Sequence, residues 1–131
     1  NGTEGYYGFP SIDGAGLKIG RHDLGVPINP DDTPIPFGEV ENDQEDLDHF
    51  LQTFMPQVGS LKFGKTCMYD MTPDEDFIID THPHYHNIAF ATGFSGHGFK
   101  FASAVGESLK DIVTTGETKV DLTPFKLNRF E

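Results

Sequence analysis

Cysteine is almost missing from this sequence: Cys67 is the only one in 131 residues. A lone thiol excludes an internal disulfide framework and fits a reducing compartment. Positive charge is scarce as well, with nine Lys and Arg against twenty-one Asp and Glu and a formal net charge of -12 at pH 7. Such a surface repels phosphate backbones and anionic headgroups, so neither nucleic acid nor membrane is expected as the main partner. No apolar run approaches the ~20 residues needed to cross a bilayer, and no charged-then-apolar leader opens the chain. The expected location is therefore cytoplasmic. Internal repeats and low-complexity tracts are absent, and no Gly-x-Gly-x-x-Gly fingerprint follows an early strand. By itself the chain is not expected to bind a dinucleotide in the usual way. It opens on Asn1-Gly2-Thr3 without methionine and runs at once into an extended segment, as though cut from something longer.

What is present suits a globular domain. The 36% hydrophobic and 12% aromatic content is enough for a core, and one compact unit is expected. Tyr6-Tyr7-Gly8-Phe9 and Gly16-Leu17-Lys18-Ile19-Gly20 read as two short strands joined by a Gly-rich turn. Four prolines between Val26 and Gly38 mark a surface loop. Asn42 or Asp43 can cap a helix in which Leu47, Phe50, Leu51 and Phe54 share a core face, with Pro56 as its stop. Ser60 to Asp70 then reads as a long strand, turned by Thr72-Pro73-Asp74-Glu75-Asp76 into a hairpin with Phe77-Ile78-Ile79-Asp80. Ile88 to Thr92 reads as a further strand. Past Gly93, a helix places Phe101, Val105, Leu109 and Ile112 or Val113 on one face and ends at Gly116. The tail from Leu122 to Phe130 is expected to be extended, with Pro124 confining it to an edge or loop.

Three features bear on chemistry. Gly96-His97-Gly98 falls at the expected helix start, where unpaired N–H groups could receive an anion or an electron-rich carbonyl, with Lys100 reinforcing the charge. A Gly-rich turn of this kind also occurs simply to permit tight packing. Lys18 and His22 are an even number of residues apart, so a strand puts both on one face, although an exposed lysine and a polar histidine are the ordinary reading. Cys67 reads ordinarily as an inert buried thiol. His82, His84 and His86 alternate as zinc ligands can, but Pro83 and the lack of a nearby fourth ligand favour a solvated loop, and no metal is expected.

Four segments change the weight of these features. "YYGFPSIDGAGLKIGRH", "CMYDMTPDEDFIIDTHP", "GFSGHGFKFASAVGE" and "DLTPFKLNRF" together resemble the carboxy-terminal part of the monomeric sarcosine oxidase and N-methyl-L-tryptophan oxidase family of flavoenzymes. "DFIIDT" and "LTPFKLNRF" resemble the N-methyl-L-tryptophan oxidase branch more closely, and the resemblance runs from Tyr6 to Phe130.

The resemblance implies an α+β piece of a two-domain α/β FAD-dependent oxidoreductase. Residues 1–72 would supply a mixed or antiparallel substrate-domain sheet with one helix, and residues 73–131 would return to the FAD-binding domain as a strand-turn-helix. It implies that Cys67, within Lys65-Thr66-Cys67-Met68-Tyr69, forms a thioether to a ring methyl of FAD. Lys18 would sit on the flavin face where dioxygen is reduced, and a fixed cation there stabilises developing negative charge. His22 would lie near the substrate and Tyr7 would line the same pocket. Lys100 would bind the substrate carboxylate, the Gly96 carbonyl would receive the substrate amine, and Gly96, His97 and Gly98 would hold the pyrimidine side of the flavin. The activity implied is oxidation of a small N-methyl amino acid by dioxygen, giving the amino acid, formaldehyde and hydrogen peroxide. The dinucleotide fingerprint and a carboxylate-binding arginine of the family are not in these residues, so the piece alone is expected to be inactive and to hold no flavin. The competing classes are a non-enzymatic small-ligand-binding domain and a stand-alone structural domain.

Overall fold

The computed structural model describes residues 5–23 and 25–131, so Asn1, Gly2 and Thr3 lie outside the described residues. The chain divides into two compact units, Asn1–Met68 and Tyr69–Glu131, rather than the one expected from composition. The apolar core is thin: among the described residues only Ile79 and Leu122 are buried hydrophobics, both in the second unit.

In the first unit, β1 (Gly5–Phe9) and β2 (Lys18–His22) form a two-stranded antiparallel ribbon. The register pairs Tyr7 with Gly20 and Phe9 with Lys18. Gly20 explains how an aromatic strand tolerates this pairing: a Cβ there would stand 2.8 Å from the Tyr7 ring, so glycine lets the ring lie flat across the partner strand. Helix α1 (Asp43–Phe54) follows where its apolar spacing predicts. Asn42 occupies the N-cap in a left-handed conformation, φ 65°, and its side chain makes no capping hydrogen bond. The expected core face is only half-buried, and Phe54 is 69% exposed. What the helix does contribute is Phe50, whose ring stacks on Tyr6 at 4.1 Å between centroids, and Asp46, which pairs with Arg21.

The expected long strand over Ser60 to Asp70 does not form. Extended residues become a strand only with a hydrogen-bonded neighbour, and the expected partner is taken: β3 (Ile78–Thr81) pairs instead with β4 (Ala89–Thr92), Ile78 opposite Thr92. The 60–68 part of the segment is tied down by side chains, Lys62 Nζ donating to the Ala15 carbonyl at 3.0 Å and Thr66 Oγ1 to the Ile35 carbonyl at 2.7 Å. The turn at Thr72 to Asp76 forms as expected, closed by the Glu75 N–H donating to the Thr72 carbonyl at 3.1 Å.

In the second unit, Gly98–Phe101 make a 3-10 turn before α2 (Ala102–Thr115), so α-helical hydrogen bonding starts four residues later than expected. Gly116 ends α2 with φ 85°. The helix lies against β4; Val105, Leu109 and Ile112 are half-buried and Ser108 is buried, while Val113 is 64% exposed. The tail is not extended. It folds into two 3-10 turns, Thr123–Phe125 and Leu127–Phe130, because Asp80 and Asp74 capture its donors. Lys126 Nζ and the Leu127 N–H donate to the two carboxylate oxygens of Asp80 at 2.9 and 3.0 Å. Arg129 forks onto Asp74 at 2.7 and 3.0 Å. Phe77 gathers Phe94, Phe101 and Phe125 around it, with centroid separations of 5.0, 5.3 and 5.9 Å. Among the described residues no helix is long and apolar enough to cross a membrane.

Candidate active site

Alternation along an antiparallel ribbon decides which side chains meet. Positions 5, 7 and 9 of β1 stand opposite 22, 20 and 18 of β2, so Tyr7, Phe9, Lys18 and His22 all project from one face. Tyr6 and Arg21 project from the other, where α1 covers them. The ribbon therefore spends one face on the helix and leaves the other for three residues singled out from sequence. On that face the Lys18 ammonium lies 5.9 Å from the Tyr7 ring centroid and 5.5 Å from that of Phe9. Cation–aromatic contacts at this range are worth about 0.5–1 kcal/mol at exposed sites. Phe9 was not singled out from sequence. Its signal is the two-residue spacing from Tyr7, legible only once the register with Lys18 is known.

Cys67 follows Thr66, whose hydroxyl is fixed to the Ile35 carbonyl. Its thiol is free and exposed, which overturns the expectation of a buried one: the segment has no sheet to pack against.

In the second unit Gly96, His97, Gly98 and Lys100 share one turn. Ser95 and Gly96 are both left-handed, with φ of 48° and 79°. The His97 N–H then closes on the Phe94 carbonyl at 2.7 Å. Gly98 is needed for packing, since a Cβ there would stand 2.7 Å from the Phe94 ring. Lys100 is exposed, its ammonium 5.6 Å from the Phe101 ring centroid. Beneath the turn sits a polar cluster that sequence reading missed. The Asp70 carboxylate accepts from the Thr92 hydroxyl and, at 2.7 Å, from the Gly93 N–H. These two donors, first the hydroxyl and then the amide, hold its carboxyl below the ordinary carboxylate range against the opposing effect of burial. Tyr7, Lys18 and His22 thus form one group and Gly96 to Lys100 another, with Cys67 in neither. His82, His84 and His86 build no metal centre; among the described residues no group of His, Cys, Asp and Glu could hold an ion.

The chain belongs to the FAD dependent oxidoreductase (DAO) family, whose model matches residues 1–112. The monomeric sarcosine oxidase of a Bacillus sp. is 54% identical over 125 residues, covering 95% of this chain and 32% of that protein. That of an Arthrobacter sp. is 52% identical over the same length. The N-methyl-L-tryptophan oxidase of Escherichia coli O139:H28 is 48% identical over 131 residues, covering 100% of this chain and 35% of that protein. The chain therefore spans about one third of the length of these relatives.

Proposed function

We propose that the protein carrying this chain is an FAD-dependent oxidase of small N-methyl amino acids, sarcosine or N-methyl-L-tryptophan, releasing the amino acid, formaldehyde and hydrogen peroxide. The observation that carries this is the common face of Tyr7, Lys18 and His22 in a chain of the FAD dependent oxidoreductase family. When bound, FAD supplies the two-electron acceptor and, once reduced, the reaction with dioxygen. The residues present suit it: Cys67 is a free, exposed thiol, and a thiolate is the nucleophile a thioether anchor needs, which supports the reading of Cys67 as the covalent attachment point.

The remaining roles belong to this chain's own groups. Lys18 holds a fixed positive charge where negative charge develops as dioxygen is reduced, and the Tyr7 and Phe9 rings beside it fix its place on the ribbon face. His22 and Tyr7 shape the substrate side of the same face. Lys100 pairs with the substrate carboxylate, the Gly96 carbonyl accepts a hydrogen bond from the substrate amine, and the backbone of Gly96, His97 and Gly98 holds the pyrimidine side of the flavin. Residues 1–72 serve the substrate sheet and residues 73–131 the FAD domain. The 131 residues alone carry the anchor without the activity, and the whole protein works in the cytoplasm with a small N-methyl amino acid and dioxygen as its partners.

The test is the anchor. Acid precipitation of the flavin-loaded protein should leave yellow colour on the denatured chain, and Cys67→Ser should release all of it to the supernatant. Complete release from the unmutated protein would remove the covalent assignment.

A further inference from the structure

Ser95 is 1% exposed yet sits at φ 48°, a region that costs a non-glycine residue about 1–2 kcal/mol. Such a conformation persists only where the surroundings over-determine it. Here they do. The Ser95 N–H donates to the Asp70 carbonyl at 3.0 Å. The Ser95 hydroxyl donates to the Gly93 carbonyl at 3.3 Å and lies 3.4 Å from both the N–H and the hydroxyl of Thr72. Thr72 is itself 7% exposed and is anchored by donating its hydroxyl to the Asp76 carbonyl at 2.7 Å. Asp70 closes the cluster twice, its carbonyl holding Ser95 and its carboxylate holding Thr92 and Gly93. Both ends of the bend at 93–95 are therefore gripped by one residue from a distant part of the chain. Phe94, inside the bend, and Phe101, beyond it, both pack on Phe77.

We propose that Asp70 is a positioning residue, which through its carboxylate on Thr92 and Gly93 and its carbonyl on Ser95 locks the bend at Gly93 to Gly96 and so fixes the turn that carries Gly96, His97 and Lys100. This rests on the assignment of that turn to carboxylate and flavin recognition. Both bonds to the carboxylate end on the same oxygen, Oδ2, so an amide can supply the acceptor without the charge. The inference is therefore one of shape: Asp70→Asn keeps the bend and Asp70→Ala releases it.

The experiment uses the flavin-loaded protein carrying this chain and titrates flavin absorbance with methoxyacetate, an ether analogue of sarcosine, and with neutral methoxyacetamide. Asp70→Ala and Ser95→Ala should each weaken methoxyacetate about tenfold, as loss of about one charge-assisted hydrogen bond does, and should change methoxyacetamide much less. Asp70→Asn should recover most of the affinity. Thermal midpoints are measured beside the titrations. A lowered midpoint with unchanged methoxyacetate affinity in Asp70→Ala and Ser95→Ala makes the cluster merely structural and overturns the proposal. Equal weakening by Asp70→Asn and Asp70→Ala overturns the account from shape. If Asp70→Ala does not accumulate as folded protein, Ser95→Ala and Asp70→Asn decide by the same criteria. Lys100→Met is run in parallel: if it weakens methoxyacetate while Ser95→Ala does not, the positioning role fails and the site stands, and if Lys100→Met has no effect the site itself is wrong.

Discussion

The Lys18 ammonium stands 5.5 Å from the centre of the Phe9 ring, and the two residues face each other directly across the β1–β2 ladder. Lys18, Tyr7 and Phe9 are all exposed, so the rings hold the ammonium at one place on the ribbon face while leaving it open to small molecules from solution. The ribbon is the means of keeping it there. One face is occupied by α1, and the pleat leaves Lys18 only the other.

The first prediction follows from that charge. A cation that acts as negative charge develops on dioxygen affects the oxidative half-reaction and not the reductive one. In the flavin-loaded protein, Lys18→Met should slow reoxidation of the reduced flavin by tenfold or more while substrate-driven reduction changes little. Stopped-flow absorbance separates the two rates. Equal slowing of both would return Lys18 to a general structural role.

Side chains that repeat with the period of their own element were legible in the sequence. The spacing of Leu47, Phe50, Leu51 and Phe54 located α1, and the even separation of Lys18 and His22 put them on one face. What distant residues decide was not legible. Whether Ser60 to Asp70 becomes a strand depends on a partner, and β4 had taken it. Whether Leu122 to Phe130 extends depends on Asp74 and Asp80 capturing Arg129 and Lys126, contacts between residues some fifty apart in the chain. Asp70 and Ser95 were hidden for the same reason, since no local pattern marks a carboxylate that caps a bend more than twenty residues on.

Those captured donors set an acid limit. Burial of Asp80 opposes its charged form, but the Lys126 ammonium and the N–H groups of Leu127 and Thr81 outweigh that and hold its carboxyl below the ordinary carboxylate range. A carboxylate depressed in the folded state contributes stability that is complete above its unfolded value and is lost as pH falls through the folded one. Asp74, paired with Arg129, and Asp70 are depressed in the same direction. The thermal midpoint should hold from neutral pH down to about 5 and then drop steeply toward pH 3. Asp80→Asn should lower the neutral-pH midpoint and flatten the acid fall, and a parallel curve displaced downward at every pH would rule out this linkage.

Phe50 is the helix's hold on the ribbon. Its ring stacks on Tyr6 at 4.1 Å and touches Phe54 at 4.9 Å, while the residue is only half-buried. Complete burial makes Phe→Ala cost 3–5 kcal/mol, so Phe50→Ala should cost about 2. Amide hydrogen exchange over β1 and β2 should quicken together with that over α1. Protection unchanged in the ribbon would mean that β1 and β2 stand without the helix.

Gly93 meets a stricter steric demand than Gly98, where a Cβ would stand 2.7 Å from the Phe94 ring. The φ of 65° at Gly93 costs an L-residue about 1–2 kcal/mol, and a Cβ would come within 2.3 Å of Thr72 Cγ2. Thr72 cannot swing aside freely, because its hydroxyl is committed to the Asp76 carbonyl at 2.7 Å. Gly93→Ala should therefore cost about 3 kcal/mol, the backbone contribution plus one of overpacking. Thr72→Ser removes the obstructing methyl and keeps the hydroxyl, so in that background Gly93→Ala should cost only about 1–2 kcal/mol, leaving the conformational part. Urea unfolding of the two single variants and the double variant measures the coupling directly. A full 3 kcal/mol penalty in the Thr72→Ser background would show that the backbone angle alone excludes a side chain, and that Thr72 contributes to the bend through its hydroxyl and not its methyl.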